Sequence, residues 1–513
     1  MSSFLNGLID ANNYTYTENG AVTHKSTQSD LLDMFALGAA YRNRTDSDCI
    51  VLFRRAFAEN PTYALKCLFY LRDIRGGQGE RRFFRVCLRD LANTNIEAAR
   101  RNLEYVPVYG RWDDMYLFEN TPLEADAFAF MKHQLALDVN CKTPSLLAKW
   151  LKSENASSNK TRHLARKTAK AFGMTPKQYR KTLSILRERI NVLERLMSAG
   201  KWDEIEFDKI PSRAGLIYKN AFAKHDLERE QSKKEVQTYA DFAKDTTKKV
   251  NAKDLYPYEC VEKALSLTRQ SYWGGGYNTN RIALDNTDRL MINKYWDNLT
   301  DYFNGANFNA LAVVDTSASM RGTPMNVAIS LGLYCAERCK GPFNGYYVSF
   351  SRAPRLVRTE GVDFCDKVAR IANTNLCENT NIEATFDMLL NTALANHCTQ
   401  DELPQNIIVI SDMEFDAGTG QRNYWGNGTP SFKAETLMES IRKKWAAHGY
   451  QMPHLIYWNV DARQDNIPED LGNGPISYVS GFSPSIFQTI MAGKTGYELM
   501  LDKLNSERYA VIQ

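Results

Sequence analysis

The chain has 513 residues, of which 43% are hydrophobic and 24% charged, a composition typical of a folded globular protein with room for two or more domains. No apolar run approaches the eighteen or so residues of a membrane span, and no basic region precedes an apolar one at the N-terminus, so we expect no membrane association and no secretory signal. The ten cysteines include no Cys-x-x-Cys pair, which favours reduced thiols in a cytoplasmic protein.

The net charge of +4 is unevenly distributed along the chain. Residues 141–201 contain 15 Lys or Arg and 3 Asp or Glu, a net charge of +12. Residues 306–513 contain 17 Lys or Arg and 22 Asp or Glu, a net charge of −5. This asymmetry predicts a basic surface on one part of the molecule that binds a polyanion.

The first 304 residues are predicted to be mostly helical. Residues 1–28 are polar with few periodic apolar side chains, which predicts a loosely ordered N-terminal arm. From residue 29 to residue 304, apolar residues recur at helical spacing between short turns. Successive helix pairs that bury their apolar faces only against their neighbours predict an all-α domain of degenerate, HEAT-like helical repeats.

The basic segment lies within this helical domain. In residues 177–197 the apolar side chains are spaced alternately four and three apart, so they form one stripe and leave the basic residues outside it. A solvated helix face is the alternative, but such a face usually mixes signs, whereas acids are nearly absent here. The candidate RNA-binding residues are Lys160, Arg162, His163, Arg166, Lys167, Lys170, Lys177, Arg180 and Lys181.

The last third of the chain, residues 305–513, alternates predicted strands and helices. Buried-strand patterns at Ala310–Val314, Asn406–Ile410, His454–Val460 and Ile476–Val479 are separated by helical patterns such as Ile382–Ala395. This alternation predicts an α/β domain with a mostly parallel, doubly wound sheet.

Three loops of this α/β domain carry oxygen donors. Asp315, Ser317 and Ser319 follow the first strand, Thr380 precedes a helix, and Asp412 follows the strand that ends near Ile410. An Asp-x-Ser-x-Ser triplet alone is more typical of a helix cap than of a metal site. The three loops together supply carboxylate and hydroxyl oxygens, the ligands that Mg²⁺ or another hard divalent cation prefers.

This arrangement resembles the metal-ion-dependent adhesion site of von Willebrand factor A-like domains. The resemblance implies that Asp315, Ser317, Ser319, Thr380 and Asp412 surround Mg²⁺. Met413 follows Asp412 where many such domains have glycine, and Glu414 or Asp416 could add a ligand or be solvated.

The order of the two regions, together with several local phrases, is similar to that of Ro autoantigen (TROVE) ribonucleoproteins. The phrases are Arg72–Arg81, read RDIRGGQGER, Val106–Asp114, read VPVYGRWDD, Lys209–Gly215 and Ala221–Asp226, and they look like those of an uncharacterised Ro-like group. In the Ro family helical repeats close into a ring that binds single-stranded RNA 3′ ends and structured RNAs. The resemblance implies RNA as the partner here.

We therefore expect a non-enzymatic RNA-binding protein, a ribonucleoprotein component with a divalent-metal site in its C-terminal domain. The alternative is a metal-dependent protein-interaction or assembly module without RNA binding, in which a partner's Asp or Glu completes the coordination of the metal. An enzyme is a third possibility, which the sequence does not favour because no Gly-x-Ser-x-Gly, His-Glu-x-x-His or complete phosphate-loop motif occurs.

Overall fold

The protein consists of a helical N-terminal region of about 300 residues followed by an α/β domain. The structure is a computed structural model that describes residues 12–232, 234, 236–269, 276–350, 353–374, 380–418, 436–469 and 474–513. Within these ranges, no helix has both the length and the apolar character needed to cross a bilayer.

Sixteen α-helices, α1 to α16, lie in the described part of the N-terminal region. Their starts follow ordinary capping chemistry: the Thr45 hydroxyl accepts from the amide of Asp48, and the Asn60 side chain accepts from the amide of Tyr63 just after Pro61. The helices, in order, are Asp30–Leu37, Asp46–Glu59, Pro61–Arg72, Arg82–Thr94, Ile96–Arg101, Val106–Tyr109, Glu124–Asn140, Leu147–Trp150, Asn159–Phe172, Pro176–Arg189, Leu193–Ser198, Ser212–Lys224, Asp226–Glu230, Tyr239–Lys244, Pro257–Thr268 and Thr287–Asp297.

Two features of the helical region differ from expectation. The described part of the supposed arm contains an antiparallel hairpin, β1 (Tyr14–Tyr16) and β2 (Val22–His24), that pairs Thr15 with Thr23. The single stripe expected over residues 177–197 is split into α10 and α11, because Asn191 adopts a left-handed conformation with φ of 50°. An apolar repeat does not reveal such a break, since the stripe continues on both sides of it.

The C-terminal domain contains a mixed, mostly parallel six-stranded sheet with helices. Its strands lie in the order β5-β4-β3-β6-β7-β8, and only β5 runs antiparallel. The strands are β3 (Ala310–Asp315), β4 (Tyr346–Phe350), β5 (Arg355–Arg358), β6 (Asn406–Ser411), β7 (His454–Asn459) and β8 (Ile476–Ser480). The helices are α17 (Thr323–Arg338), α18 (Phe364–Thr374), α19 (Ile382–Ala395), α20 (Leu437–Ala447), α21 (Ile486–Ile490) and α22 (Gly496–Leu504).

The strand order reverses between β3 and β6, and this point positions the candidate site. The chain passes from β3 through α17 to β4 on one side, whereas it reaches β6 on the other side only after β5 and α19. In the register of the parallel pair, Val314 lies opposite Ile410. The residues that follow these two strands therefore lie side by side at the carboxyl edge of the sheet, where open α/β sheets bind their ligands.

The two regions pack against one another through buried surfaces. Helix α15 lies against α17 and α18, and α1 lies against β8. The Trp296 ring stacks on Phe364 with centroids 4.1 Å apart. At the other end of the chain, the side chains of Arg508 and Tyr509 both bond the buried carboxylate of Asp73. Each region therefore helps to bury the apolar surface of the other.

Candidate functional site

The first element of the candidate metal site is Asp315, the last residue of β3. Its side chain is fully buried. One carboxylate oxygen accepts from the amide of Ser317 at 2.9 Å, and the other accepts from the hydroxyl of Ser411 at 2.5 Å. Because Ser411 belongs to β6, these bonds fix the Asp315 carboxylate at the boundary between the two strands.

Asp412 extends the site from β6 and places a second buried carboxylate close to Asp315. Burial raises the pKa of Asp315 to about 7, and the negative charge of Asp412 contributes to the same shift, although hydrogen bonds from Ser411 and Ser317 oppose it. Asp412 also has a cationic neighbour: one Asp412 carboxylate oxygen lies 2.9 Å from the guanidinium of Arg463.

The hydroxyl groups reach the site from the loop that follows Asp315 and from one further loop. Ser317 and Ser319 flank the start of a 3₁₀ turn, Ala318–Met320, and their hydroxyl oxygens lie 2.9 Å apart. Thr380 is buried and lies two residues before the start of α19. Its carbonyl accepts from the amide of Asp416 at 3.0 Å, which ties this loop to the segment that follows β6.

The segment after Asp412 is held by its own hydrogen bonds. Met413, completely buried, has a φ of 65°, the left-handed region that glycine adopts more easily. Glu414 does not project an unoccupied carboxylate, because one oxygen accepts from the amide of Glu18 at 2.6 Å and the other accepts from the Asn466 side chain at 2.7 Å. Burial raises the pKa of Glu414 to about 8.

The turn of the N-terminal hairpin lies directly against this segment. The Thr17 hydroxyl donates to the carbonyl of Phe415 at 2.6 Å, and the Asn19 side chain donates to the carbonyl of Glu414 at 2.6 Å. The Asn19 amide nitrogen also lies 3.4 Å from the hydroxyl of Thr380. The hairpin therefore covers one side of the candidate metal site, a contact across about 400 residues of chain that no local pattern indicates.

The donor set fits a hard divalent cation. Two buried carboxylates repel one another at the ends of adjacent strands, so a cation between them would offset the repulsion. Two hydroxyl groups come from the loop after β3 and one from the loop before α19. In the described ranges no group of three or more His, Cys, Asp or Glu side chains is placed to hold a metal. An ion at this edge would thus depend on hydroxyl and water oxygens as well as on Asp315 and Asp412.

The candidate RNA-binding residues lie on two neighbouring helices of the N-terminal region. Six of the nine are exposed on α9 and α10 and have no ion-pair partner among the residues that the structure describes. These six residues are Lys160, His163, Arg166, Lys170, Lys177 and Lys181.

The remaining three of these candidates have partners. Lys167 pairs with Glu124 at 2.8 Å, Arg180 pairs with Glu154 at 3.1 Å, and Arg162 donates to the carbonyl of Ala156 at 2.8 Å. None of these partners belongs to the acidic C-terminal third, so no acid in the described part of that third pairs with these three residues.

The helical region also forms a large cavity, open to solvent, that the sequence did not indicate. Its volume is about 2000 Å³, twice the upper end of the range of ordinary small-molecule sites, roughly 300–1,000 Å³. Among the described residues, thirteen basic and five acidic side chains line it, and they come from positions between 42 and 258. Five of the basic residues belong to the 141–201 segment: Lys149, Lys152, Arg180, Arg187 and Arg195.

Aromatic side chains share this wall with the cations. Trp112 and Trp150 line the cavity together with Tyr256 and Tyr258, and the guanidinium of Arg111 lies 4.9 Å from the centre of the Trp150 ring. A cationic wall that contains partly exposed aromatic rings is the combination by which proteins bind single-stranded nucleic acid. In the sequence, only the excess of basic residues between 141 and 201 indicated this surface. The other residues of the cavity wall are far apart in the chain and form no local pattern.

The fold and the two candidate sites define a class of protein in which a helical region with a basic cavity is joined to an α/β domain with oxygen donors at its sheet edge. Residues 17–111 and 136–304 match the family described as "Domain of unknown function (DUF2828)", and the chain belongs to this family. Residues 309–508 match a second description, "Domain of unknown function (DUF7788)". The first match ends at residue 304, and the second begins at residue 309.

One relative matches nearly the whole chain. The protein described as "Uncharacterized protein L728" of Acanthamoeba polyphaga mimivirus is 28% identical over 517 residues, which cover 93% of this chain and 85% of that protein. Neither the family descriptions nor this relative mentions Ro or von Willebrand factor A domains. The resemblance to those families therefore stays a prediction.

Proposed function

We propose that the chain is a non-enzymatic RNA-binding protein, a ribonucleoprotein component whose helical region takes structured or single-stranded RNA. In this proposal the helices are degenerate, HEAT-like repeats, and the C-terminal domain is a doubly wound, von Willebrand A-like domain. Its sheet edge would hold Mg²⁺ through Asp315, Ser317, Ser319, Thr380 and Asp412.

The observation that carries the proposal is the charge of the cavity wall. Thirteen basic against five acidic side chains leave a net charge of +8 among the described residues that line it. Acids behind the wall offset part of this charge, such as Asp114 beside Arg72 and Glu259 beside Arg213. The remaining positive charges repel one another and lower the stability of the folded protein unless an anion binds. Phosphates of a nucleic acid strand supply the missing negative charge, and the aromatic rings of the wall supply surfaces on which bases stack.

The exposed face of α9 and α10 supports the same proposal from outside the cavity. Arg166, Lys170 and Lys181 project into solvent without ion-pair partners in the described part of the chain. Unpaired cations of this kind contact phosphates without reading the base sequence, and they make the affinity fall steeply with salt.

The test is the salt dependence of RNA binding by the full chain and by a variant with reversed charges. Fluorescence anisotropy with a labelled single-stranded RNA and with a hairpin RNA would be measured between 50 and 300 mM KCl. Reversal of Arg166, Lys170 and Lys181 to glutamate should reduce the slope of log K against log salt by about 2, since each lost phosphate contact on a single strand removes roughly 0.7.

A matched control separates local contacts from net charge. Lys248, Lys249 and Lys340 are also exposed and lie outside the two basic helices, so their reversal to glutamate changes the net charge equally. The control should bind RNA nearly as the unaltered chain does. Salt-insensitive binding, or equal losses in both variants, would contradict the proposed interface.

The second candidate function is a metal-dependent protein-interaction module, and it is favoured by the convergence of oxygen donors on the carboxyl edge of β3 and β6. A bound Mg²⁺ would supply an open coordination position for a carboxylate of an acidic partner protein. The partner would have to approach beside the hairpin turn, because Asn19 already lies against Thr380 and Glu414.

This second function predicts cation binding that depends on Asp315. Calorimetric titration with Mn²⁺, which binds the same kind of oxygen donors as Mg²⁺, should show one site in the unaltered chain and none in an Asp315→Ala variant. Asp387→Ala is a suitable control, since Asp387 pairs with Lys444 on the surface. A titration without heat of binding in the unaltered chain would contradict the metal site and leave the RNA proposal standing.

A further inference from the structure

Arg111 is a guanidinium inside the basic cavity that the protein itself does not neutralise. It stands just before the 3₁₀ turn Trp112–Phe118, with its guanidinium packed over the Trp150 ring. No carboxylate of the described residues lies within ion-pair distance of its side chain. The backbone amide of Arg111 donates to Asp114 at 2.9 Å, but the carboxylate of Asp114 pairs with other cations.

The neighbouring acids are already occupied. Asp114 pairs with both Arg72 and Arg85, in each case with a shortest distance of 2.6 Å. Asp113 also pairs with Arg85, at 2.8 Å, and forms an ion pair with Lys152. Each of these two carboxylates forms ion pairs with at least two other cations, so neither neutralises Arg111.

Two further arginines lie near Arg111 in the cavity wall. Arg81 and Arg213 line the same cavity, and each has only one acidic neighbour within ion-pair distance among the described residues, Asp113 at 3.7 Å and Glu259 at 2.6 Å. Burial lowers the pKa of Arg111, and the positive charges of Arg72, Arg213 and Arg81 lower it further. The Arg213 guanidinium lies 5.8 Å from the centre of the Tyr256 ring, whose hydroxyl donates to the carbonyl of Gln78, three residues before Arg81. Arg81 lies 3.7 Å from Asp113, two residues after Arg111. The three arginines therefore line one part of the cavity.

We infer that Arg111, together with Arg81 and Arg213, forms a subsite for a phosphate monoester, and that this subsite holds the phosphorylated end of an RNA strand. The inference deepens the proposed function, since it names the feature of the RNA that the cavity recognises. It requires no catalytic step, because the subsite only binds and orients the end of the strand.

The charge of the ligand decides between an end and an internal position. An internal phosphodiester carries one negative charge, whereas a phosphate monoester carries between about 1.5 and 2 near pH 7 and presents three acceptor oxygens. A cluster of three guanidinium groups matches the higher charge and the larger number of acceptors. The nearby ring of Trp112, which is partly exposed, offers a surface for the terminal base.

The experiment compares three RNA decamers of one sequence, with a 5′-phosphate, a 3′-phosphate or hydroxyl groups at both ends. Anisotropy titrations would use the full chain and an Arg111→Gln variant. One of the phosphorylated strands should bind the unaltered chain about ten-fold or more tightly than the hydroxyl strand, as expected for charge-assisted bonds to a dianion. In the variant this preference should disappear, while the affinity for the hydroxyl strand changes less than about three-fold.

Two further variants keep the result interpretable. Arg195→Gln removes a guanidinium from the same cavity, one that pairs with Glu188 at 2.6 Å, and should retain the preference for the phosphorylated end. Arg111→Lys keeps the charge but loses the planar fork, and should retain only part of the preference. Thermal unfolding curves that coincide for all variants would show that a lost preference is not a folding defect.

Each outcome decides one of the two proposals. Equal binding of all three strands contradicts the phosphate subsite while the proposed RNA function stands. Absence of binding to every strand contradicts the proposed function. Inorganic phosphate or adenosine monophosphate that competes as strongly as the phosphorylated strand would contradict the assignment to a strand end and would show a site for a free phosphate ester.

Discussion

The carboxylate of Asp412 forms an ion pair with the guanidinium of Arg463, with 2.9 Å between Asp412 Oδ2 and Arg463 Nη2. The same guanidinium lies 2.6 Å from Glu18 in the turn of the N-terminal hairpin. Arg463 therefore connects a proposed metal ligand to the segment that covers the site. A positive charge at this position competes with any cation for Asp412.

The first prediction concerns this competition. Arg463→Gln should increase the affinity for Mn²⁺ roughly ten-fold, because it frees the carboxylate and removes a repulsive charge. Two unit charges 4 Å apart near a protein surface interact by about 4 kcal/mol. A tenfold change in affinity corresponds to only about 1.4 kcal/mol, so loss of part of this interaction is enough. Calorimetric titration measures the change directly.

Arg370→Gln is the control for the first prediction, since Arg370 is an exposed arginine that pairs with Asp366 at 2.9 Å. The control should bind Mn²⁺ with the affinity of the unaltered chain. An Arg463 variant that binds the cation no more tightly would show that Asp412 is not a ligand.

The second prediction links the cation to stability. A ligand that binds only the folded state stabilises it by about 2.7 kcal/mol at one hundred times its dissociation constant. Saturating Mg²⁺ should therefore raise the melting temperature of the unaltered chain by several degrees. In Asp315→Asn, which keeps the size of the side chain but lowers its charge, the shift should vanish; an equal shift in the variant would place the effect elsewhere.

The candidate site shows what the sequence makes predictable. The three loops follow from local patterns, since buried strand runs end at Asp315 and Ser411 and an apolar helix begins at Ile382. Parallel strands with matched register then bring their ends together without further information. The alternation of strands and helices in the C-terminal third is confirmed as an α/β domain for the same reason.

Long-range contacts were not predictable in this way. Glu18 and Arg463 are separated by more than 400 residues, and neither stands in a pattern that indicates a partner. The arginines of the cavity come from several helices and turns, so their convergence depends on how the helices pack. The sequence also did not indicate the edge strand β5. Its residues Arg355, Leu356 and Arg358 are exposed, so the segment forms neither an apolar run nor an alternating pattern.

The third prediction tests the hairpin contact. Thr17 is buried, donates to the carbonyl of Phe415 at 2.6 Å and accepts from the amide of Ala21 at 2.9 Å. Thr17→Val removes both hydrogen bonds and takes from the buried amide of Ala21 its hydroxyl acceptor, at a cost of about 1–3 kcal/mol. Amide hydrogen exchange in residues 14–24 should accelerate accordingly, whereas Thr15→Val, which alters a half-buried strand residue, should have little effect on it.

The fourth prediction concerns the contact between the C-terminal segment and the helical region. The buried carboxylate of Asp73 accepts from Arg508 at 2.7 Å and from the hydroxyl of Tyr509 at 3.0 Å. Arg508→Ala would leave this buried charge without its cation, at a cost of about 3–5 kcal/mol in the free energy of unfolding. Urea denaturation measures the loss.

The exposed pair of Arg358 and Glu360 is the control for the fourth prediction. Arg358→Ala should cost no more than about 1 kcal/mol, because Glu360 remains solvated after the substitution. Similar losses in the two variants would show that burial of the Asp73 carboxylate does not determine the effect.

The fifth prediction is a dependence of stability on pH. His454, at the start of β7, is half-buried, and its ring nitrogen Nε2 lies 2.9 Å from the Ser477 hydroxyl. Burial lowers the pKa of His454 below its ordinary value of 6.5. Between the two pKa values the unfolded state binds more protons than the folded state, so this residue makes the free energy of unfolding fall as the pH falls from 7.

A comparison with His454→Gln isolates this contribution from that of the other titratable groups. The difference in unfolding free energy between the unaltered chain and the variant should be constant above pH 7. Below it, the unaltered chain should lose stability relative to the variant by at most about 1.4 kcal/mol per pH unit, the limit for one proton. Parallel pH profiles would contradict the prediction and would show that the imidazole titrates in the folded protein as it does in the unfolded chain.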